Sequence, residues 1–218
     1  MFAQTLYVQW KWNRDFLAFY TVAGFAAPLI ILWIALTYLG LTTARELVLV
    51  GGVVGVTTAA IAVIAGLTVA WQGYGVDDRV GHIYALSLPV TRTRALALRA
   101  ATAAVILLLP ALGVWIGSML AATQVTLPPM LRSYAGALAI RALLAAWLAH
   151  TCMFALRYAA GRRAKVVLAT LVVMIGTLGF ATEAVPAARE AILNVGNFLI
   201  SSPGPFGVVF GRWTLIDV

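Results

Sequence analysis

The sequence predicts an all-α integral membrane protein. Three windows, 16–44, 47–76 and 100–131, contain no charged residue. The charges collect in the gaps between them. Each window exceeds the ~20 apolar residues that a helix needs to cross a bilayer. An ionised side chain at the bilayer centre costs roughly 2.5–3.5 kcal/mol, so a chain with 15 basic and seven acidic residues does not leave such stretches bare by accident. Composition agrees: 63% of the residues are hydrophobic and the mean hydropathy is +0.98, against roughly 45–50% apolar content in soluble domains.

At 218 residues the chain has room for one membrane domain, 1–218, with short loops and no separate soluble catalytic domain. The net charge of +8 would point to nucleic acid in a soluble protein. Here the gathering of positive charge on the cytoplasmic side of a membrane protein accounts for it, and no nucleic-acid partner is predicted. The single cysteine, Cys152, excludes an internal disulfide and a cysteine-based metal cluster. Lys11 and Arg14 directly before the first span, with no short apolar core ahead of them, argue against a cleavable signal peptide. Only Lys11 and Lys165 among the basic residues are lysine, a bias typical of GC-rich bacterial genomes, which makes the bacterial inner membrane the expected location.

Five spans follow from the charge map: 16–41, 47–71, 95–122, 134–156 and 166–182. Pro110 is expected to kink the third. Ahead of the first, residues 1–15 interleave Trp10 and Trp12 with Gln9, Lys11, Asn13 and Arg14. That pattern predicts an amphipathic helix in the interface, or a simple cap on the first span. Ten of the fifteen basic residues fall in the N-terminus, in 72–99 and in 157–165, which places the N-terminus in the cytoplasm and residue 183 onward outside. The tail 183–218 includes an uncharged stretch, 191–211, with Asn194, Asn197 and Ser201 to Pro205. It predicts a re-entrant hairpin or short helices at the outer surface, because irregular backbone survives at membrane depth only where its polar groups are satisfied. Five spans leave an odd number, and a sixth is expected after Val218.

The stretch 72–94 carries the functional argument. Asp77 or Asp78 could cap a short cytoplasmic helix through Val80, Ile83 and Tyr84, which Pro89 would stop, with a new helix starting near Thr91 or Thr93. A helix in that position offers a docking surface for another protein.

The segment Leu86-Ser87-Leu88-Pro89-Val90-Thr91-Arg92, preceded by Asp77-Asp78-Arg79-Val80-Gly81-His82, resembles the coupling region of ABC type 2 exporter permeases. The motif covers about twenty residues, while the layout of interfacial helix, short loops and outer tail is similar over the whole chain. The resemblance implies six spans per subunit, a second permease subunit, surrounding lipid, and an ABC ATPase on the cytoplasmic face that binds ATP and Mg. It assigns contact with that ATPase to Asp77, Asp78, Arg79, His82, Leu88, Pro89 and Arg92. The family's Glu-x-Gly-Thr pattern is altered here, since His82 follows Gly81.

The chain itself holds no G-x-x-x-x-G-K-[ST] loop, so no cofactor and no enzymatic activity are predicted for it. His82 and His150 lack a second ligand at a metal-type spacing, and Ser87 and Ser118 lack a base partner. His150 reads as a packed core residue. Arg141, the one intramembrane charge, reads as an arginine reaching for the outer headgroups, with Glu183 a candidate partner. Small residues at Gly51, Gly55, Ala59, Ala62 and Gly66, and the pair Gly113 and Gly117, favour close helix packing within the subunit, with subunit contacts the other use. Two functions emerge: the permease subunit of an ATP-driven exporter of an amphipathic or lipid-like substrate, or a non-transporting scaffold subunit of a larger membrane complex. An ion-coupled carrier is disfavoured by spans without acidic residues.

Overall fold

The computed structural model describes residues 2–41, 43–79, 91–125 and 134–160, and further along the short pieces 163, 166–170, 173–174, 177, 189–190, 193–194 and 197–198. Among the described residues the chain is all-helical. Its five long helices are α1 (Phe2–Thr37), α2 (Ala44–Arg79), α3 (Arg92–Ile106), α4 (Leu108–Thr123) and α5 (Ala135–Ala160). Four helical stretches are long and apolar enough to cross a membrane: Phe2–Thr37, Leu49–Gly73, Thr93–Thr123 and Ala135–Ala159. Of the fifth predicted span, residues 166–170, 173–174 and 177 are helical and the others lie outside the described residues, as does most of the 183–218 tail.

The ends of the helices follow from local chemistry. α1 stops where Gly40 takes a left-handed conformation, φ 60°, a turn that a residue with a Cβ resists. The turn lets the Leu41 N–H reach back to the Ala35 carbonyl at 3.0 Å. α2 opens with a reciprocal capping box: the Thr43 N–H donates to Glu46 Oε2 at 3.0 Å, and the Glu46 N–H to Thr43 Oγ1 at 3.4 Å. α3 starts as predicted, with Thr91 as N-cap accepting from the Arg94 N–H at 3.4 Å. The expected kink in the third span is a break at Leu107 between α3 and α4. Pro110 has no N–H to offer the Ile106 carbonyl, and its ring crowds that oxygen, so the regular ladder ends there.

Two expectations are corrected. Residues 1–15 do not form a separate interfacial helix: α1 is unbroken from Phe2 to Thr37, and the N-terminal segment is simply its first four turns. Nor do Asp77 and Asp78 cap a new helix, because both lie in the last turns of α2, which continues to Arg79. The remaining part of the 72–94 stretch, residues 80–90, lies outside the described residues.

The chain divides into two compact units, Met1–Phe154 and Ala155–Val218. In the first, contacts fix the helix directions. Gln9 of α1 meets Arg99 and Thr102 of α3, while Thr21 and Phe25 meet Gly113 and Gly117 of α4, so α1 runs parallel to α3 and α4. Tyr20 hydrogen-bonds Thr68 at 3.0 Å, and Leu32 and Ala35 pack with Val50, so α2 returns antiparallel. Gly55 faces Leu138 and Gly66 faces Ala146, so α5 runs parallel to α2. The Trp147 indole N–H donates to the Ala104 carbonyl of α3 at 3.3 Å.

The core joins Leu17, Ala62, Ala65, Val69, Ala103, Ile106, Leu107, Val114, Ala142 and Ala146. Half of these are alanine, as expected where helices gain by close van der Waals approach rather than by escape from water. The glycines press further. A Cβ on Gly113 would meet the Thr21 carbonyl oxygen, one on Gly117 that of Phe25, and one on Gly66 that of Ala146. Such backbone approach favours Cα–H···O contacts between helices. In the second unit, the Thr170 and Thr177 hydroxyls donate to the carbonyls of Val166 and Met174, both at 2.9 Å, which satisfies side-chain polarity inside the helix itself.

Candidate functional site

The candidate site is the charged end of the first unit, where α1 and α3 begin and α2 finishes. The Tyr20–Thr68 bond sets the level of α2 against α1. At 1.5 Å per residue, Asp77 lies ~13 Å along α2 from Thr68, about level with Lys11 of α1. The backbone thereby brings Asp77, Asp78 and Arg79 to the same end as Lys11 and Arg14, with Arg92 and Arg94 in the first turn of α3. His82, Leu88 and Pro89 lie outside the described residues.

A buried polar joint ties the two helix starts together. Gln9 is 7% exposed, and Asn13 and Thr102 are fully buried. The Thr102 hydroxyl donates to Gln9 Oε1 at 2.8 Å, and Gln9 Nε2 donates to the Arg99 carbonyl at 3.4 Å. Asn13 Nδ2 donates to the Gln9 carbonyl at 2.9 Å. Its Oδ1 is buried and has no hydrogen-bond partner among the described residues. Buried polar pairs of this kind fix register, since neither partner finds water if the helices slide. The sequence reading missed the joint. The available signal was the spacing of Leu6, Gln9, Asn13, Leu17 and Tyr20, which lie on one helical face.

The other predicted residues are dispersed. Arg141 lies near the start of α5, half-buried, and Glu183, its candidate partner, falls outside the described residues. His150 is buried, at 8% exposure, and stacks on Phe154 with ring centroids 5.9 Å apart, as the core-residue reading expects. Among the described residues no group of three His, Cys, Asp or Glu side chains is placed to hold a metal ion. The pair Gly113 and Gly117 serves packing of α4 on α1 within the chain, whereas Gly51 and Gly52 of α2 have open space where a Cβ would stand.

Fold and site together define a class: a multi-pass helical membrane protein with a charged end where α1 and α3 begin and α2 finishes. Comparison with protein families, with curated proteins and with solved structures yielded no match to this chain.

Proposed function

We propose that the chain is the transmembrane permease subunit of an ATP-driven ABC exporter. A separate ATPase subunit binds ATP and Mg, and its hydrolysis drives export of an amphipathic or lipid-like substrate. The observation that carries the reading is the Leu86–Arg92 motif, flanked by two apolar helical stretches long enough to cross a membrane, Leu49–Gly73 of α2 and Thr93–Thr123 formed by α3 and α4 together. α2 delivers the Asp77–Arg79 cluster and α3 restarts at Thr91. Helices entering and leaving the connection at one end of the bundle can pass displacement of a docked segment to the spans as rigid bodies, and α3 transmits it to α1 through the Gln9–Thr102 bond. On this reading Asp77, Asp78, Arg79, His82, Leu88, Pro89 and Arg92 contact the ATPase, the N-terminus is cytoplasmic, and a second permease subunit completes the path in a bacterial inner membrane.

Replacing Asp78, Arg79 and Arg92 with alanine tests the proposal. The variant is expected to keep its helicity and its association with membranes while transport falls relative to ATP hydrolysis. Normal coupled transport by the triple variant contradicts the assignment. The competing scaffold reading predicts no change in any transport activity.

A further inference from the structure

The length of α1 locates the bilayer. Its 36 residues span ~54 Å, against a hydrocarbon thickness of ~30 Å. Two exposed aromatic groups mark the layer's edges. One is Trp33 with Tyr38, which meet edge to face at 5.2 Å; the other is Trp10 with Trp12. From Trp12 to Trp33 the helix rises ~31 Å, the thickness of one hydrocarbon core, and tryptophan and tyrosine favour both interfaces. The excess length of α1 therefore lies on the N-terminal side; Lys11 falls at headgroup level, and Arg14, ~3 Å inside Trp12, reaches it because helix side chains lean toward the N-terminus and arginine snorkels.

α3 adds to this level. The Gln9–Arg99 contact sets Arg99 abreast of the Trp10–Trp12 turn, and Arg94 follows ~7.5 Å further out along the parallel helix. Lys11, Arg14 and Arg94 are all exposed. Arg14 touches Asp15 at 3.4 Å, with both side chains largely in solvent, a contact of little strength at such exposure. Counting the end of α2, this level carries Lys11, Arg14, Arg79, Arg92, Arg94 and Arg99 against Asp15, Asp77 and Asp78. The balance is positive and the flanking side chains are tryptophans.

We infer that the paired starts of α1 and α3 form a binding surface for the headgroups of anionic phospholipids, with Lys11, Arg14 and Arg94 facing the phosphates and Trp10 and Trp12 seated at the acyl boundary. Charge complementarity selects the anionic lipid over a neutral one, and the aromatic level selects a lipid over a soluble anion. Lys11, Arg14 and Arg94 are not among the residues that the permease reading assigns to ATPase contact.

The test is quenching of the full chain's tryptophan fluorescence in phosphatidylcholine vesicles containing either brominated phosphatidylglycerol or brominated phosphatidylcholine. The wild type is expected to be quenched more strongly by the brominated anionic lipid, and added salt should reduce that preference. Each of Lys11→Gln, Arg14→Gln and Arg94→Gln is expected to weaken the preference about fivefold, the equivalent of about 1 kcal/mol per basic residue near an anionic surface. Arg14→Lys and Arg94→Lys should retain it. Equal quenching of the wild type by the two lipids overturns the inference, as does a preference that salt leaves unchanged. So does a triple glutamine variant that is folded by circular dichroism and keeps the wild-type preference.

Discussion

Gly117 of α4 lies directly against the backbone carbonyl of Phe25 of α1, so close that a methyl group added at position 117 would clash with that oxygen. One turn earlier Gly113 meets Thr21 in the same way, and Gly24 of α1 faces Val114 and the Pro110 carbonyl in return. The α1–α4 crossing is thus a backbone-to-backbone contact, which only residues without a side chain permit.

Gly117→Ala is expected to destabilise the bundle by about 1–3 kcal/mol, the usual cost of forcing extra atoms into a packed contact. Gly52→Ala, in open space on α2, should leave stability unchanged or slightly raised through helix propensity. Thermal unfolding of the two variants in one detergent separates them. Equal melting temperatures would mean that the crossing is not close-packed.

The Gln9–Thr102 hydrogen bond can be tested by a double-mutant cycle. Thr102→Val leaves the Gln9 amide oxygen buried without its donor, at a cost of about 1–3 kcal/mol. Gln9→Met removes the other partner at comparable volume. The double variant is expected to be less destabilised than the sum of the singles, because no orphaned group remains. Additive losses would show that the two side chains do not interact.

Removing the capping box at the start of α2 should loosen only that end. Glu46→Ala leaves the Thr43 N–H without the acceptor it has at 3.0 Å and is expected to cost about 0.5–2 kcal/mol. The loss should appear in hydrogen exchange as faster amides in the first turn of α2, with the residues around Gly66 unchanged.

Pro110→Ala restores the amide that the Ile106 carbonyl lacks and removes the ring that crowds it. α3 and α4 are expected to join into one continuous helix through Leu107. The new amide at position 110 should exchange as slowly as its helical neighbours. Fast exchange there would mean that the break has a cause other than the proline.

Much of this architecture was legible in the residues. The three charge-free windows located three of the four apolar helices because charge in hydrocarbon is costly for any fold, and the basic residues that bound 134–156 located the fourth. Pro110 and Thr91 acted locally, through a missing N–H and an available hydroxyl, so the break and the helix start could be read from neighbouring positions alone. The continuity of α1 could not. Residues 1–15 have the same amphipathic pattern whether their polar side meets water or a second helix, and the groups that meet Gln9 come from Arg99 and Thr102, some ninety positions away. The length of α2 was misread for another reason. Asp77 and Asp78 suggested the start of a new helix, but the glycines ahead of them, Gly73 and Gly75, cost only about 0.5–1 kcal/mol each, too little to end a 36-residue helix. Of the site, the charged cluster was visible in the sequence, while its polar joint depended on which helix lay beside α1.

The most direct test of the permease reading is to purify the chain from its native membrane in mild detergent and identify what accompanies it. The account predicts a stoichiometric ATPase whose hydrolysis responds to added lipid or substrate. Recovery in a larger assembly that contains no ATPase would contradict it and leave the chain a scaffold subunit.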